Sequence, residues 1–184
     1  MLILAAARQE LGELEGEVVG VGPIVAAACA AAIIARRRPA QVVLLGTAGA
    51  YPGGPAVGQA VASASVGLSY GVAAMGLGYV PRAPRAIDAD AALLDRLALP
   101  RHAVLTVGAV TTDPTLAGRL ADGWTVEHLE AYAVAYACQN AGVPFVAVLG
   151  IASQVGPDAH MQWLEHREAA QEAARGAVRG LLAS

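Results

Sequence analysis

Short, continuously apolar segments alternate with longer helix-forming segments along this chain, and this alternation constrains the fold more than any other feature. Residues 1–7, 41–45 and 144–151 are apolar almost without a break, which is typical of strands covered on both faces of a sheet. Segments 57–66 and 103–110 are also predicted to be strands. Strands that alternate with helices predict a three-layer α/β/α fold around a mixed, largely parallel central sheet.

Helices are predicted for most of the segments between these strands. The first follows Gly20-Val21-Gly22-Pro23 and ends at the three arginines 36–38, because proline suits the first turn of a helix and cations suit the last. Further helices are predicted over 90–97, 116–120, 129–141 and 160–182. No repeat or linker divides the chain, so residues 1–184 are expected to form one domain.

Composition excludes several classes of protein. The chain is 56% hydrophobic and 15% charged, with a net charge of -3, so nothing indicates nucleic-acid binding. The most apolar stretch, residues 18–35, begins with glycines and a proline, which argues against a membrane span. The two cysteines suit a core, and the four histidines are scattered without metal-ligand spacing. We expect a cytoplasmic enzyme with no cofactor and no metal.

The run Gly46-Thr47-Ala48-Gly49 follows the second apolar strand. Glycines at the carboxyl end of a strand let the backbone approach a ligand closely. The run matches neither the dinucleotide fingerprint nor the P-loop. A tight turn without a ligand explains it equally well.

Glu127 and Glu130 stand at the head of a predicted helix, where a carboxylate is commonly only a partner of the helix dipole. Glu130, however, leads into alanines at 131, 133, 135 and 137, a surface too small and apolar for a solvated helix. A glutamate in that place needs hydrogen-bond donors, and a vicinal diol would supply two. Both interpretations stay open on the residues alone.

Three other side chains are candidates with ordinary alternatives. Glu10 follows the first predicted strand, within a segment whose other glutamates suggest a solvated surface. Gln154 follows the last predicted strand, where loops often carry function, although a glutamine can also cap a turn. Trp163 on the terminal helix is expected to pack in the core. No Ser or Cys nucleophile motif is present.

Several motifs, taken in their order along the chain, resemble the nucleoside phosphorylase and nucleosidase superfamily. They are GVGP (20–23), GTAGAYPG (46–53), VGQ (57–59), VEHLEAYAVA (126–135), GVPF (142–145) and ASQ (152–154). The fourth is similar to the ribose-binding signature, with Leu129 in place of a methionine. The GTAGAYPG run, TVGAVTT (106–112) and SQVGP (153–157) most resemble the futalosine hydrolases. That resemblance implies hydrolysis of the N-glycosidic bond of futalosine, releasing hypoxanthine, in menaquinone biosynthesis.

The resemblance also implies roles for individual residues. Glu130 would accept hydrogen bonds from the ribose 2′- and 3′-hydroxyls, and Glu10 would activate the attacking water. The other implied substrate-binding residues are Thr47, Ala48 and Gly49 on the sugar side, Leu129 under the ribose, and Val110, Thr111, Thr112 and Ser153. Val110, Thr111 and Thr112 would flank the base.

Two features bear on the reaction. Phosphorylases of this superfamily carry an arginine before the glycine run, where this chain has Leu44 and Leu45, which favours water over phosphate as the nucleophile. Gln154 stands where the family has Asp or Asn, and a glutamine amide can donate a hydrogen bond to the leaving base but cannot protonate it. The segment between the first strand and Gly20 is also shorter than in the family.

These departures leave two alternative functions open. One is a methylthioadenosine or S-adenosylhomocysteine nucleosidase, although adenine recognition normally uses the acidic residue that Gln154 replaces. The other is a nucleoside-binding protein with little turnover. In each case the partner is a small-molecule purine nucleoside, and relatives lead us to expect a homo-oligomer, a dimer or larger.

Overall fold

A computed structural model describes residues 1–183, in which strands and helices alternate as the apolar pattern predicts. The strands are β1 (Leu2–Ala5), β2 (Glu17–Val18), β3 (Val42–Ala50), β4 (Ala60–Leu68), β5 (Ile87–Asp88), β6 (Arg101–Thr106), β7 (Val126–His128) and β8 (Phe145–Gln154). The helices are α1 (Arg8–Leu11), α2 (Pro23–Arg37), α3 (Gly71–Ala74), α4 (Ala91–Arg96), α5 (Pro114–Leu120), α6 (Ala131–Ala141) and α7 (Ala159–Ala183).

The eight strands form one mixed sheet, which confirms the predicted α/β class. Five strand pairings are parallel and three are antiparallel. β3 pairs in parallel with β1 and β8, and its last two residues pair antiparallel with β7. Because β8 also pairs with β4, and β6 pairs with both β4 and β7, these strands close into a ring.

The strand predicted over 41–45 extends further than expected, and the alternative that Gly46-Thr47-Ala48-Gly49 is a tight turn is wrong. β3 continues through the whole run to Ala50, and the turn follows at residues 52–54. Gly46 pairs with Leu149 and Gly49 pairs with Ser153 of β8, after a register shift between Ala48 and Gly49. Tertiary pairing therefore overrides the low strand preference of glycine.

Other predicted boundaries shift by a few residues for the same reason. The helix predicted from residue 129 begins at Ala131, because residues 126–128 pair with β6 and β3 as β7. The strand predicted over 103–110 is β6, which ends at Thr106. The polar segment after β1 contains the short helix α1, which carries Glu10.

Alternate residues of the central strands pack into two separate apolar clusters. Leu4 and Leu44 belong to a cluster with buried residues of α2 and α6. Ile3 and Val43, their neighbours in sequence, belong to a second cluster with residues of α4 and α7. This alternation is what a strand covered on both faces requires. Within residues 1–183, no helix is both long enough and apolar enough to cross a membrane.

Of the glycines within residues 1–183, Gly150 of β8 leaves the least room for a side chain. A Cβ atom added there would lie 1.9 Å from the backbone oxygen of Ala170 in α7. Only glycine allows this approach, which brings the first half of α7 against the strands that carry Thr47 and Ser153. The terminal helix is thereby fixed as part of the site's support.

We expect Gly150→Ala to lower the free energy of unfolding by about 3 kcal/mol or more, because the new methyl group meets backbone that cannot rotate away. Denaturant unfolding followed by circular dichroism measures the loss. Gly118→Ala in α5 is the matched control, since no atom lies within 4 Å of its added Cβ, and we expect it to change stability by less than about 1 kcal/mol. Equal stability of the two variants would contradict the packing described here.

Candidate active site

A cavity of about 450 Å³ is lined by the segment from the end of β1 into α1, by the C-terminal parts of β3 and β8, by the β7–α6 junction and by the first half of α7. Its size suits a small organic ligand, for which roughly 300–1,000 Å³ is usual. Most of the predicted site residues line it, namely Glu10, Thr47, Ala48, Gly49, Val110, Thr112, Leu129, Glu130 and Ser153. Residues up to 143 positions apart in sequence, Glu10 and Ser153, therefore share one wall.

Glu10 is buried, and each oxygen of its carboxylate accepts a hydrogen bond from a backbone N–H group. One oxygen, Oε2, accepts the Ala7 N–H at 3.1 Å, and Oε1 accepts the Thr47 N–H at 3.1 Å. Burial raises the pKa of Glu10 above its ordinary value of 4.5, while His128 and these two N–H groups act in the opposite direction. A carboxylate with a raised pKa is a better general base near neutral pH.

The Thr47 hydroxyl links Glu10 to the terminal helix. The Trp163 indole N–H donates to Thr47 Oγ1 at 3.0 Å, and an indole nitrogen can only donate. Thr47 therefore keeps its own proton for Glu10 Oε1, which lies 3.5 Å from Oγ1. Trp163 lines the cavity, so the expectation that it only packs in the core is wrong.

Glu130 occupies the residue position immediately before α6, and its side chain is buried against the loop before α2. Its Oε1 accepts the Gly22 N–H at 2.7 Å. Burial raises the pKa of Glu130 from 4.5 to about 7, and the Gly22 hydrogen bond opposes this rise. Each carboxylate oxygen has two lone pairs, so Glu130 keeps the capacity to accept further donors from a ligand in the cavity.

His128 lies between these two carboxylates and is almost fully buried. Its Nδ1 accepts the backbone N–H groups of Glu130 and Ala131, at 3.0 and 3.1 Å. Burial lowers the pKa of His128 from 6.5 to about 4, so the ring is neutral at pH 7 with its hydrogen on Nε2. The contact of 3.3 Å between Nδ1 and Glu130 Oε2 is not an ion pair, because the ring is neutral, and it joins two acceptors whenever Glu130 is ionised.

A third buried carboxylate, Glu127, holds the loop that was predicted to flank the base. Glu127 accepts the Tyr51 hydroxyl at 2.8 Å and the Thr111 N–H at 2.9 Å. Thr111 is buried by this contact but does not line the cavity, whereas its neighbours Val110 and Thr112 do. Tyr51 is fully buried and donates a hydrogen bond to Glu127. Its hydroxyl stays protonated, because burial and the adjacent carboxylate raise its pKa.

Gln154 is placed differently from the other predicted site residues. Gln154 is exposed and does not line the cavity, whereas the preceding residue, Ser153, is buried and lines it. The Gln154 N–H donates to the Gln162 side chain at 2.8 Å, which joins the end of β8 to α7. A role for Gln154 on the leaving base stays a prediction that this geometry does not support.

The sequence model of the phosphorylase superfamily matches residues 11–183. The chain belongs to the phosphorylase superfamily. A curated relative, the futalosine hydrolase of Thermus thermophilus, is 35% identical over an alignment of 179 residues, and the match covers 89% of this chain and 79% of the relative. The resemblance that the sequence motifs carry is thereby confirmed.

Solved structures of this superfamily have the same fold at low sequence identity. The native futalosine hydrolase of Helicobacter pylori has a TM-score of 0.84 at 14% identity, covering 98% of this chain and 95% of that one. The 5′-methylthioadenosine/S-adenosylhomocysteine nucleosidase of Neisseria meningitidis, in complex with methylthio-immucillin-A, has a TM-score of 0.84 at 20% identity, covering 98% and 97%. The corresponding nucleosidase of Colwellia psychrerythraea, in complex with adenine, has 0.83 at 20%, covering 98% and 93%.

For this superfamily member, sequence reasoning missed several polar residues of the cavity wall, among them His128, His160 and Gln171. His128 stood in view between Glu127 and Glu130 but was counted among scattered histidines. His160 and Gln171 of α7 also line the cavity, and nothing in the helix pattern distinguishes them. The sequence does contain a signal for His128, since a histidine placed between two glutamates at the head of a helix brings three titratable groups together.

Glu130→Gln is expected to stabilise the empty protein above neutral pH. Because the folded-state pKa of Glu130 is raised, to about 7, the stability of the wild-type chain decreases as pH rises from 4.5 through 7. The neutral amide avoids this loss, so the variant should match wild type near pH 4.5 and exceed it by about 2–3 kcal/mol at pH 8.5. Denaturant unfolding of both proteins across this range measures the difference.

The matched control is Glu13→Gln, because Glu13 is exposed. As a substitution of an exposed side chain, it should change the free energy of unfolding by less than about 0.5 kcal/mol. A Glu130→Gln difference that does not grow with pH would mean that Glu130 is ionised in the empty cavity without cost.

Proposed function

We propose that this chain is an N-ribosyl hydrolase that cleaves the N-glycosidic bond of futalosine, releasing hypoxanthine and dehypoxanthine futalosine in menaquinone biosynthesis. One observation carries the proposal. Glu10 and Glu130, both buried, line the same cavity, and none of the cavity-lining residues within 1–183 is a lysine or an arginine. The identity to the futalosine hydrolase of Thermus thermophilus, 35%, supports the choice of substrate.

Cleavage of a ribosyl C–N bond develops positive charge on the sugar, as glycoside cleavage does. Glu130 accepts the ribose 2′- and 3′-hydroxyls and places negative charge beside that developing cation. Glu10 removes a proton from the attacking water, and the Ala7 and Thr47 N–H groups hold its carboxylate in place. Leu129 packs under the ribose, and Thr47, Ala48 and Gly49 form the sugar side.

Water rather than phosphate is the nucleophile in this proposal. Phosphate binding requires cations or several free backbone donors, whereas the acidic residues of this cavity wall are Glu10, Glu127 and Glu130. The Thr47 N–H of the glycine run is already bonded to Glu10 and is not available to an anion. Phosphate would therefore meet repulsion where water meets a base.

Recognition of the purine base is the part of the proposal for which an alternative function exists. Val110 and Thr112 flank the base, Thr111 anchors their loop, and Ser153 contacts the base side with its hydroxyl. Because Gln154 is exposed, the leaving hypoxanthine receives no proton from that position. A weakly active nucleoside-binding protein is the second candidate on this ground. Methylthioadenosine/S-adenosylhomocysteine hydrolysis is less favoured, since no carboxylate stands at residue 154 or at its neighbours 153 and 155.

The proposal includes an architecture and an assembly. We take residues 1–184 as one domain, a three-layer α/β/α arrangement, in line with the two apolar clusters of α2 and α6 and of α4 and α7. A cytoplasmic homo-oligomer, a dimer or larger, fits the exposed apolar side chains, which include Ile24, Leu77 and Tyr79. The partner in catalysis is a small purine nucleoside, without cofactor, nucleic acid or membrane.

Purified protein incubated with futalosine should release hypoxanthine equally fast with and without phosphate. Methylthioadenosine and inosine should be poorer substrates, measured by chromatography of the free base. Release that requires phosphate would contradict the hydrolase assignment, and no release from any of the three nucleosides would favour the binding protein.

Glu10→Gln and Glu130→Gln should each lower kcat/KM for futalosine by about 10²–10⁴-fold, since each removes one charge that the reaction needs. Both substitutions keep the shape of the side chain. Glutamine at 130 keeps an oxygen for the Gly22 N–H, whereas glutamine at 10 keeps an acceptor for only one of the Ala7 and Thr47 N–H groups. Exposed Glu13→Gln is the control and should retain wild-type kcat/KM. Near-normal turnover by Glu130→Gln would remove the basis of the ribose assignment.

A further inference from the structure

His128 is a buried titratable group that the proposed reaction does not use. It follows Glu127 on β7 and lies between the two carboxylates assigned to the reaction. Its side chain is 3% exposed, and burial of an imidazole at that depth normally requires partners for both ring nitrogens. Its two nitrogens face two different parts of the site.

The Nδ1 atom faces the start of α6. It accepts the N–H groups of Glu130 and Ala131, at 3.0 and 3.1 Å, and Glu130 has no side-chain cap of its own there. These are first-turn donors that a helix leaves without intrahelical partners. His128 therefore caps the helix that presents Glu130, and this fixes the orientation of the Glu130 backbone.

The Nε2 atom and the Glu10 carboxylate both lie beside Gly46 of β3. A Cβ atom placed on Gly46 would lie 3.0 Å from His128 Nε2 and 3.4 Å from Glu10 Oε1. The missing side chain of Gly46 thus lets both groups approach the same point. Because Nδ1 accepts two hydrogen bonds, the hydrogen of the neutral ring is on Nε2, on the side of Glu10.

We propose that His128 is a positioning residue that couples the two carboxylates: Nδ1 fixes the helix start that carries Glu130, and the Nε2–H group stabilises the ionised carboxylate of Glu10. The catalytic roles of Glu10 and Glu130 in this proposal rest on the proposed function, whereas the contacts of His128 do not. Gly46 is explained by it as well, since any side chain at that position would separate His128 from Glu10.

Other charged groups face Glu10 and stay unchanged in the test. Glu130 faces it from the start of α6 and Glu127 lines the same cavity from β7. From α7, Arg175 donates to the Glu10 backbone oxygen at 3.4 Å and His160 lines the cavity. Arg8 lies on the same short helix as Glu10. A change seen only on substitution of His128 is therefore attributable to that ring.

Two substitutions separate the two nitrogens. In His128→Asn the side-chain oxygen reaches the place of Nδ1, so the cap is kept and the donor at Nε2 is lost. In His128→Gln the terminal amide nitrogen reaches the place of Nε2, so the donor is kept and the cap is lost. His166→Asn, on α7 and outside the cavity lining, is the control.

Two NMR readouts follow these changes without any substrate. The carboxyl carbon of Glu10 should titrate with about tenfold higher proton affinity in His128→Asn, because removal of a donor favours the protonated form, and as in wild type in His128→Gln. The amides of Glu130 and Ala131 should exchange at least tenfold faster in His128→Gln and at wild-type rates in His128→Asn. Nitrogen spectra of wild type should report the Nε2-protonated ring from pH 5.5 to 8.5.

Activity supplies the third readout. The pH below which kcat/KM for futalosine falls should move upward in His128→Asn and stay in place in His128→Gln. Equal Glu10 titration in all four proteins, or a wild-type ring protonated on Nδ1, would overturn the proposal. If wild type releases no base from any nucleoside, the proposed function fails while the two NMR readouts still decide the role of His128.

Discussion

The site depends on one constraint, namely that carboxylates removed from water must receive hydrogen bonds from the protein. Three glutamates are buried around one cavity, and their donors come from distant parts of the chain. Glu10 receives the N–H of Thr47, Glu130 that of Gly22, and Glu127 that of Thr111. Each hydrogen bond therefore also ties a loop or strand to the cavity, so the groups that would perform the chemistry also hold the site together.

The antiparallel pairing of β3 with β7 makes this arrangement possible. It sets Gly49 opposite Glu127 and closes the ring of strands, so the β7–α6 junction lies against the glycine run. Little room remains for side chains on that run, since a Cβ at Gly46 would meet His128 and one at Gly49 would lie 3.1 Å from Val155. The glycines of β3 thus make room for the side chains that face them, which is a different reason from a turn.

Much of the fold could be predicted because a strand buried on both faces is a continuous run of apolar residues. The apolar segments that became β1, β3 and β8 and the helix from Pro23 carry such a run in their own residues. The residues Gly46-Thr47-Ala48-Gly49 do not show by themselves that they belong to a strand, because their conformation depends on pairing with residues about 100 positions away. Local preference indicated a turn, and the partner strand overrode it.

The site was predictable to the extent that its residues belong to motifs. Glu130, Glu10 and the sugar-side residues follow from the resemblance and meet in one cavity. Trp163 was assigned to the core and His128 was missed, because the role of each depends on a single atom: the indole N–H that reaches Thr47 and the ring nitrogen that caps α6. Gln154 shows the reverse case, in which a motif position is filled but the side chain lies outside the cavity.

Protonation of Glu130 connects this architecture to ligand binding. In the empty cavity its Oε2 faces His128 Nδ1 at 3.3 Å, two acceptors with no hydrogen between them when the carboxylate is ionised. Burial also raises the pKa of Glu130 to about 7, so near neutral pH a large share of empty molecules hold a proton there. Ribose hydroxyls would supply the missing donors and favour the ionised form. Under the proposed function, binding of the sugar would therefore be linked to release of this proton, and the charge that stabilises the developing cation would be complete only with the ribose in place.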